Sequence, residues 1–209
     1  MIKYLFFDIG YTLVNEDDVW HKRCQELAKT NEASDKNLSF DEIYTQFLTL
    51  SQNSYTPFKD LLKKYGFSVK IPYDSTLEKP YPGLSDFLNT ISARFKLGII
   101  ANQSSGLCER LEKFGILHHF STVVFSHDCG FDKPSPQIFL HALEKADVSL
   151  SVTAMIGDRF DNDILPAKNL GMKTILVRQG FGRKISFDGY ASFIDYQIDS
   201  IFNLPDILM

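Results

Sequence analysis

Five short apolar runs, each stopping just before a polar loop, constrain this chain more than any other feature. They are Ile2 to Phe7, Phe95 to Ala101, Thr122 to Phe125, Ala154 to Ile156 and Thr174 to Val177. Each is nearly continuous rather than alternating, the pattern of a strand buried on both faces of a parallel sheet. Amphipathic helical segments lie between them. Leu84, Phe87, Leu88 and Ile91 fall at i, i+3, i+4, i+7, and Leu107, Leu111 and Phe114 line the next helix, which Gly115 ends. Ser135-Pro136 supplies an N-cap and a first-turn proline ahead of Ile138, Phe139, Ala142, Leu143 and Ala146. Ile164, Ala167 and Leu170 lead up to Gly171. Strands alternating with such helices predict an α/β fold with a doubly wound, mainly parallel, Rossmann-like sheet.

One stretch breaks the alternation. Residues 15–80 carry helix signals and no strand signal. Ser39-Phe40-Asp41-Glu42 reads as a capping box, Thr56-Pro57 opens a helix that Gly66 closes, and an earlier helix is expected from Asp18 to Lys29. The expected organisation is therefore an α/β core of residues 1–14 and 81–209, with residues 15–80 inserted after the first strand as a helical cap.

Composition narrows the function classes. With 44% hydrophobic and 23% charged residues, the 209-residue chain can bury a sizeable core. Its longest apolar runs fall far short of the roughly 20 residues that span a bilayer, and Met1-Ile2-Lys3 enters a strand directly, without a signal-peptide pattern. A cytoplasmic location, with no membrane partner, is expected. The net charge of −4, with lysines and arginines scattered, argues against a nucleic-acid partner. Cys24, Cys108 and Cys129 are odd in number and contain no CxxC, so neither a disulfide framework nor a zinc site is expected.

In doubly wound sheets ligands bind at the carboxyl ends of the strands. Those ends carry Asp8-Ile9-Gly10-Tyr11-Thr12, then Asn102-Gln103-Ser104-Ser105, then Asp132-Lys133-Pro134, then Gly157-Asp158 with Asp163. Carboxylates without histidine or cysteine companions suit a hard cation such as Mg²⁺, and a lysine opposite them balances phosphate charge.

These segments resemble the haloacid dehalogenase-like hydrolase superfamily. Asp8 and Thr12 match its DxDxT motif, Lys133-Pro134 its lysine motif, and Gly157-Asp158 with Asp163 its GDxxxxD motif. The helical insert is similar to that superfamily's C1 cap. The resemblance implies a Mg²⁺-dependent phosphohydrolase acting on a small phosphorylated metabolite through an aspartyl-phosphate. Asp8 would be the nucleophile and Lys133 the charge-neutralising lysine. Asp8, the backbone carbonyl of Gly10, Asp158 and Asp163 would hold Mg²⁺, while Thr12, Asn102 and Gln103 would bind substrate. A monomer or homodimer is expected.

Two positions depart from the pattern. Gly10 replaces the second aspartate, the general acid, and Ala101 replaces the hydroxyl residue ending the second strand. A 2-haloacid dehalogenase, which also lacks that acid, and a non-catalytic phosphate-binding or regulatory module therefore stand as alternatives. Asp161 reads as a helix-start residue, Tyr11 as a packing residue, and His21 and Arg23 as ordinary surface. The basic, glycine-containing run Arg178 to Lys184 reads as a solvated loop.

Overall fold

All five apolar runs form parallel strands, and a sixth joins them at one edge. The computed structural model describes residues 1–208. The strands are β1 (Tyr4–Phe7), β2 (Lys96–Ala101), β3 (Phe120–Phe125), β4 (Thr153–Gly157), β5 (Lys173–Val177) and β6 (Tyr196–Ile198). They lie in the order β3-β2-β1-β4-β5-β6, every neighbouring pair parallel. The order reverses beside β1, which pairs with β2 on one side and β4 on the other. Phe7 stands level with Ile99 and Ile156.

Burial on both faces explains why the strands lack alternation. Leu5 and Phe7 join one apolar cluster with Leu84, Leu88, Ile91, Leu107 and Leu111. Tyr4 and Phe6, pointing the other way, join Ile138, Phe139, Ala142 and Ala167. Gly98 makes the second layer possible. A Cβ on it would lie 2.7 Å from the Phe6 ring, which stacks on Tyr4 at 4.6 Å between centroids.

The short strand β6 escapes the sequence pattern because Tyr196 and Gln197 are exposed and only Ile198 is buried. Its place is set instead by Asp195, the residue before it. The Asp195 carboxylate accepts hydrogen bonds from Lys168 Nζ at 2.7 Å, Lys173 Nζ at 2.9 Å and the Thr174 amide at 3.0 Å.

By their internal contacts the residues form two compact units. The first comprises Met1–Val14, Pro80–Gly180 and the residues from Phe187 onward, and holds the six-stranded sheet. The second comprises Asn15–Lys79 together with Phe181–Ser186. Its helices are Asp17–Ala28, Asn31–Asp35, Phe40–Ser51 and Pro57–Tyr65. Ser39 and Glu42 form the capping box, and Gly66 closes its helix at φ +65°. Arg23 is not ordinary surface: its guanidinium lies 4.1 Å from the Phe58 ring centre and 4.9 Å from that of Trp20.

The run 178–184 is likewise not a solvated loop along its length. Phe181 packs against Trp20 and Phe47 of the helical unit, and the Gly182 and Lys184 amides donate to Ser51 O and Gln52 O at 2.7 and 2.9 Å. An aromatic residue in a glycine- and arginine-rich stretch gives no periodicity, so only tertiary packing reveals this.

Asp195 carries a stability prediction. Burial by itself would raise its pKa, but the hydrogen bonds from Lys168, Lys173 and Thr174 override this and hold it at about 2. A carboxyl depressed on folding stabilises above its unfolded pKa, and the contribution fades as pH falls through the folded value. Asp195→Asn is expected to cost about 2 kcal/mol at pH 7 in urea unfolding. The difference from wild type narrows between about pH 4 and pH 2.

Candidate active site

The first strand ends by aiming a carboxylate out of its carboxyl edge. The Asp8 amide still bonds to Ile156 O of β4 at 2.9 Å, so Asp8 is the last residue held in the sheet. The chain then turns sharply. The amides of Thr12, Leu13 and Val14 all converge on the carbonyl of Ile9, at 3.2, 2.9 and 3.1 Å. The turn forces Tyr11 to φ +49°, a left-handed conformation unfavourable for an aromatic residue. Gly10 stands between Asp8 and this strained residue. Thr12 is fully buried, and its hydroxyl has no hydrogen-bond partner among the described residues.

Lys133 reaches the same place from the loop after β3. Asn102, the first residue beyond β2, fixes its backbone reciprocally. The Lys133 amide donates to Asn102 Oδ1 at 2.7 Å, and Asn102 Nδ2 donates to the Lys133 carbonyl at 2.9 Å. The Lys133 side chain, 2% exposed, then donates to Asp8 Oδ1 and Asp163 Oδ1, each at 2.6 Å.

Beyond β4 the chain delivers two aspartates. Asp158 follows the strand directly. Asp163 sits in a π-helical turn, Phe160–Ile164, of the kind that gathers at functional sites. The Arg159 amide donates to Asp163 Oδ2 at 3.1 Å. Gly157 is required by close approach: a Cβ there would meet Asp163 Oδ2 at 2.2 Å. Asp161 points elsewhere, into an ion pair with Arg159 at 2.7 Å.

Asp8, Asp158 and Asp163 each offer an oxygen, and these oxygens lie within 4.8 Å of one another. Opposite ligands on an octahedral Mg²⁺ stand about 4.2 Å apart, so the carboxylates are near the spacing such an ion needs. Their charges also fit. Three carboxylates share the buried ammonium of Lys133, with Arg159, paired to Asp161, adding positive charge near Asp158 and Asp163. Burial by itself would lower the Lys133 pKa, yet the facing carboxylates of Asp163 and Asp8 more than offset it and hold the lysine charged. Burial pushes Asp163 up to about 6, Lys133 opposing the rise and Asp8 adding to it. A buried carboxyl shifted in this way marks a candidate functional site.

The donors expected for substrate divide. The Asn102 side chain exchanges two hydrogen bonds with the backbone of Lys133, which use one of its two N–H donors. The Gln103 side chain accepts from Arg110 at 2.6 Å, and its amide faces Ser126 Oγ at 3.2 Å. An open groove of about 440 Å³ lies alongside, lined by Asn102, Gln103, Ser104, Ser126, His127 and Asp132. Ala101 is fully buried in the sheet and offers no hydroxyl there.

Two residues of the run expected as a solvated loop, Gln179 and Gly180, also reach the site. Gln179 Nε2 donates to the carbonyls of Tyr11 and Thr12, at 2.8 and 3.1 Å. Gly180 packs so closely that a Cβ on it would fall 2.1 Å from Asp158 Oδ2. Their one sequence signal is position: they follow the fifth apolar run, at the same sheet edge as the other motifs.

Comparison with known proteins agrees with this geometry. Residues 5–177 match the family described as haloacid dehalogenase-like hydrolase. The glyceraldehyde 3-phosphate phosphatase of Methanocaldococcus jannaschii is 31% identical over all of this chain and 97% of its own. The pyrimidine 5′-nucleotidase YjjG of Escherichia coli is 40% identical, but over 46% of this chain and 43% of its own. The crystal structure of a HAD phosphatase from Thermococcus onnurineus superimposes with a TM-score of 0.67 at 24% identity, covering 100% of this chain and 98% of that one. The chain belongs to the haloacid dehalogenase-like hydrolase family and is a phosphohydrolase of it.

Proposed function

We propose that the chain cleaves the phosphate monoester of a short metabolite of the triose-phosphate class, through an aspartyl-phosphate on Asp8. Lys133, buried between Asp8 and Asp163 with Asp158 beside them, is the observation that carries this reading. The substrate class follows from a relative that matches this chain from end to end and is named for glyceraldehyde 3-phosphate. The nucleotidase match spans less than half of the chain.

Asp8, Asp158, Asp163 and the backbone carbonyl of Gly10 would hold Mg²⁺. Bound there, the ion would balance the excess negative charge and draw charge from the phosphoryl oxygens. The Asp8 carboxylate attacks phosphorus, and the bond from phosphorus to the ester oxygen breaks on the opposite side. Water then attacks the phosphorus of the aspartyl-phosphate, releasing inorganic phosphate and restoring Asp8. Lys133 stays protonated throughout and neutralises charge on Asp8 and the transferring group. Gly10 brings no side-chain acid to the ester oxygen, so the leaving group takes its proton from water. The same reading makes this a cytoplasmic enzyme of a free metabolite, acting on neither nucleic acid nor membrane, as a monomer or homodimer.

Phosphate release from glyceraldehyde 3-phosphate, pyrimidine nucleoside monophosphates and p-nitrophenyl phosphate, with and without Mg²⁺, tests the proposal. The expected result is Mg²⁺-dependent turnover that disappears in Asp8→Asn. The nitrophenyl ester should turn over fastest, since a positioned acid is worth roughly 10²–10⁴ in rate and only the alkyl esters need it. Among the alkyl esters the triose phosphate should lead. Mg²⁺ binding without turnover of any ester would favour the non-catalytic module, and Mg²⁺-independent activity on 2-haloacids the dehalogenase.

Lys133→Met leaves two buried carboxylates facing each other without their cation. It should therefore lose about 3–5 kcal/mol of stability in EDTA, measured by urea unfolding. Added Mg²⁺ should recover part of that loss, because binding to the folded state stabilises it.

A further inference from the structure

We propose that the dipeptide Gln179-Gly180 positions the metal-binding groups: Gln179 holds the turn that carries the Gly10 carbonyl, and Gly180 sets the place of the Asp158 carboxylate. This inference rests on the reading of Asp8, Gly10, Asp158 and Asp163 as Mg²⁺ ligands.

The Gln179 side chain is used to its full donor capacity. A primary amide has two N–H donors and one carbonyl acceptor. The two donors go to Tyr11 O at 2.8 Å and Thr12 O at 3.1 Å. The Oε1 atom accepts from the Ile201 amide at 3.0 Å, which fixes the way round the amide stands. The clamp therefore runs from the segment after β6 to the turn after β1. Its effect on the site is local and mechanical. Tyr11 sits at φ +49°, where an aromatic residue does not rest unaided. Tying down the carbonyls of Tyr11 and Thr12 keeps the turn in that conformation. It thereby fixes the peptide plane joining Gly10 to Tyr11, which carries the Gly10 carbonyl.

Gly180 acts by what it lacks. Its φ is not in the left-handed region, so backbone freedom is not the reason for a glycine. Close approach is the reason. A Cβ would stand 2.1 Å from Asp158 Oδ2 and 2.8 Å from Tyr11 Cβ, both inside the 3.0 Å that real Cβ atoms keep. The Asp158 carboxylate thus lies directly against the backbone of residue 180. Mg²⁺ demands oxygens at about 2.0–2.1 Å in near-octahedral array, with a tolerance of about 0.2 Å. Adding one methyl group at 180 moves the carboxylate or the loop by several times that tolerance. Gly180 so touches one of the four proposed ligands, Asp158, and Gln179 acts on a second, the Gly10 carbonyl, through Tyr11 and Thr12. Both act through other groups, which makes them positioning residues rather than catalytic ones.

Isothermal titration of Mg²⁺ into EDTA-stripped full-length protein tests this directly, with no turnover involved. Wild type, Gln179→Ala, Gly180→Ala and Asp158→Asn are compared, and the melting temperature of each is measured in EDTA. Groups that orient a metal ligand typically contribute 10–100-fold in affinity. Both dipeptide variants are therefore expected to bind Mg²⁺ roughly 10–100-fold more weakly in their folded state, alongside a lowered melting temperature from the lost hydrogen bonds or the added methyl group. Asp158→Asn should bind more weakly still. In turnover the same two variants should show a raised Mg²⁺ requirement and recover kcat as Mg²⁺ is increased. A merely structural role would lower the melting temperature without moving the Mg²⁺ affinity of the folded fraction. Folded variants that bind Mg²⁺ within twofold of wild type overturn the inference. If Gly180→Ala fails to fold, Gln179→Ala decides alone. A wild type that binds no Mg²⁺ removes the metal reading, and this inference with it. Binding by wild type and loss only in Asp158→Asn leaves the metal reading standing and removes this one.

Discussion

A protonated lysine withdrawn from water organises the candidate site. Moving an ammonium into a protein interior costs several kcal/mol unless opposite charge and hydrogen bonds compensate. Lys133 meets that requirement with two carboxylates at 2.6 Å, Asp8 from β1 and Asp163 from the turn after β4. The compensation overshoots. With Asp158 included, three carboxylates gather around one buried ammonium, and Arg159 adds positive charge near Asp158 and Asp163. Burial pushes the Asp163 carboxyl up to about 6, with Lys133 opposing the rise and Asp8 adding to it. On the proposed reading a divalent cation would offset the crowded carboxylates.

Bringing such groups together needs the parallel sheet. Each strand can present one or two polar residues at its carboxyl end without disturbing the apolar layers on either face. The reversal of strand order beside β1 opens a crevice at that edge. Asp8 and Asp158 end adjacent strands, and Asn102 at the end of β2 reaches across to fix the backbone of Lys133. The close approaches follow from the same crowding. Gly157 admits Asp163, and Gly180 admits Asp158, because three carboxylates and an ammonium leave no volume for a Cβ.

Much of this is legible in the sequence, for a physical reason. A charged residue directly after a run such as Tyr4 to Phe7 has nowhere to go but the strand end, so Asp8 and Asp158 declare their position by adjacency, whereas Lys133, beyond a short helix after Phe125, is marked by the Lys-Pro motif. The reading falters where tertiary contacts rather than periodicity decide. Strand β6 is three residues long with one buried, and its place depends on the carboxylate of Asp195. Asn102 has the right location for a substrate ligand, while its bonds to the backbone of Lys133 become visible only in the fold. Gln179 and Gly180 look like a turn, since a primary amide and a glycine in a basic stretch carry no pattern. Their role exists only once the turn after Asp8 is folded against them. Phe181, next in line, is an anchor of the helical unit that no window of neighbouring residues distinguishes.

The two departures from the family pattern, Gly10 and Ala101, remove side chains and leave the charged cluster of Asp8, Lys133, Asp158 and Asp163 in place. The transferring group spreads negative charge over its oxygens, and its stabilisation is a matter of placed positive charge and fixed geometry. Those elements are intact. Lys133 is charged and immobilised, the carboxylates are near octahedral spacing, and the strained turn at Tyr11 is held by hydrogen bonds from outside it. A general acid matters in proportion to the basicity of the leaving group. On the proposed reading, Gly10 leaves the attack on phosphorus to Asp8 and assigns to water the proton that an alkoxide needs. That reading keeps the electrostatic part of the mechanism, which demands ångström-level placement, and leaves proton delivery to solvent.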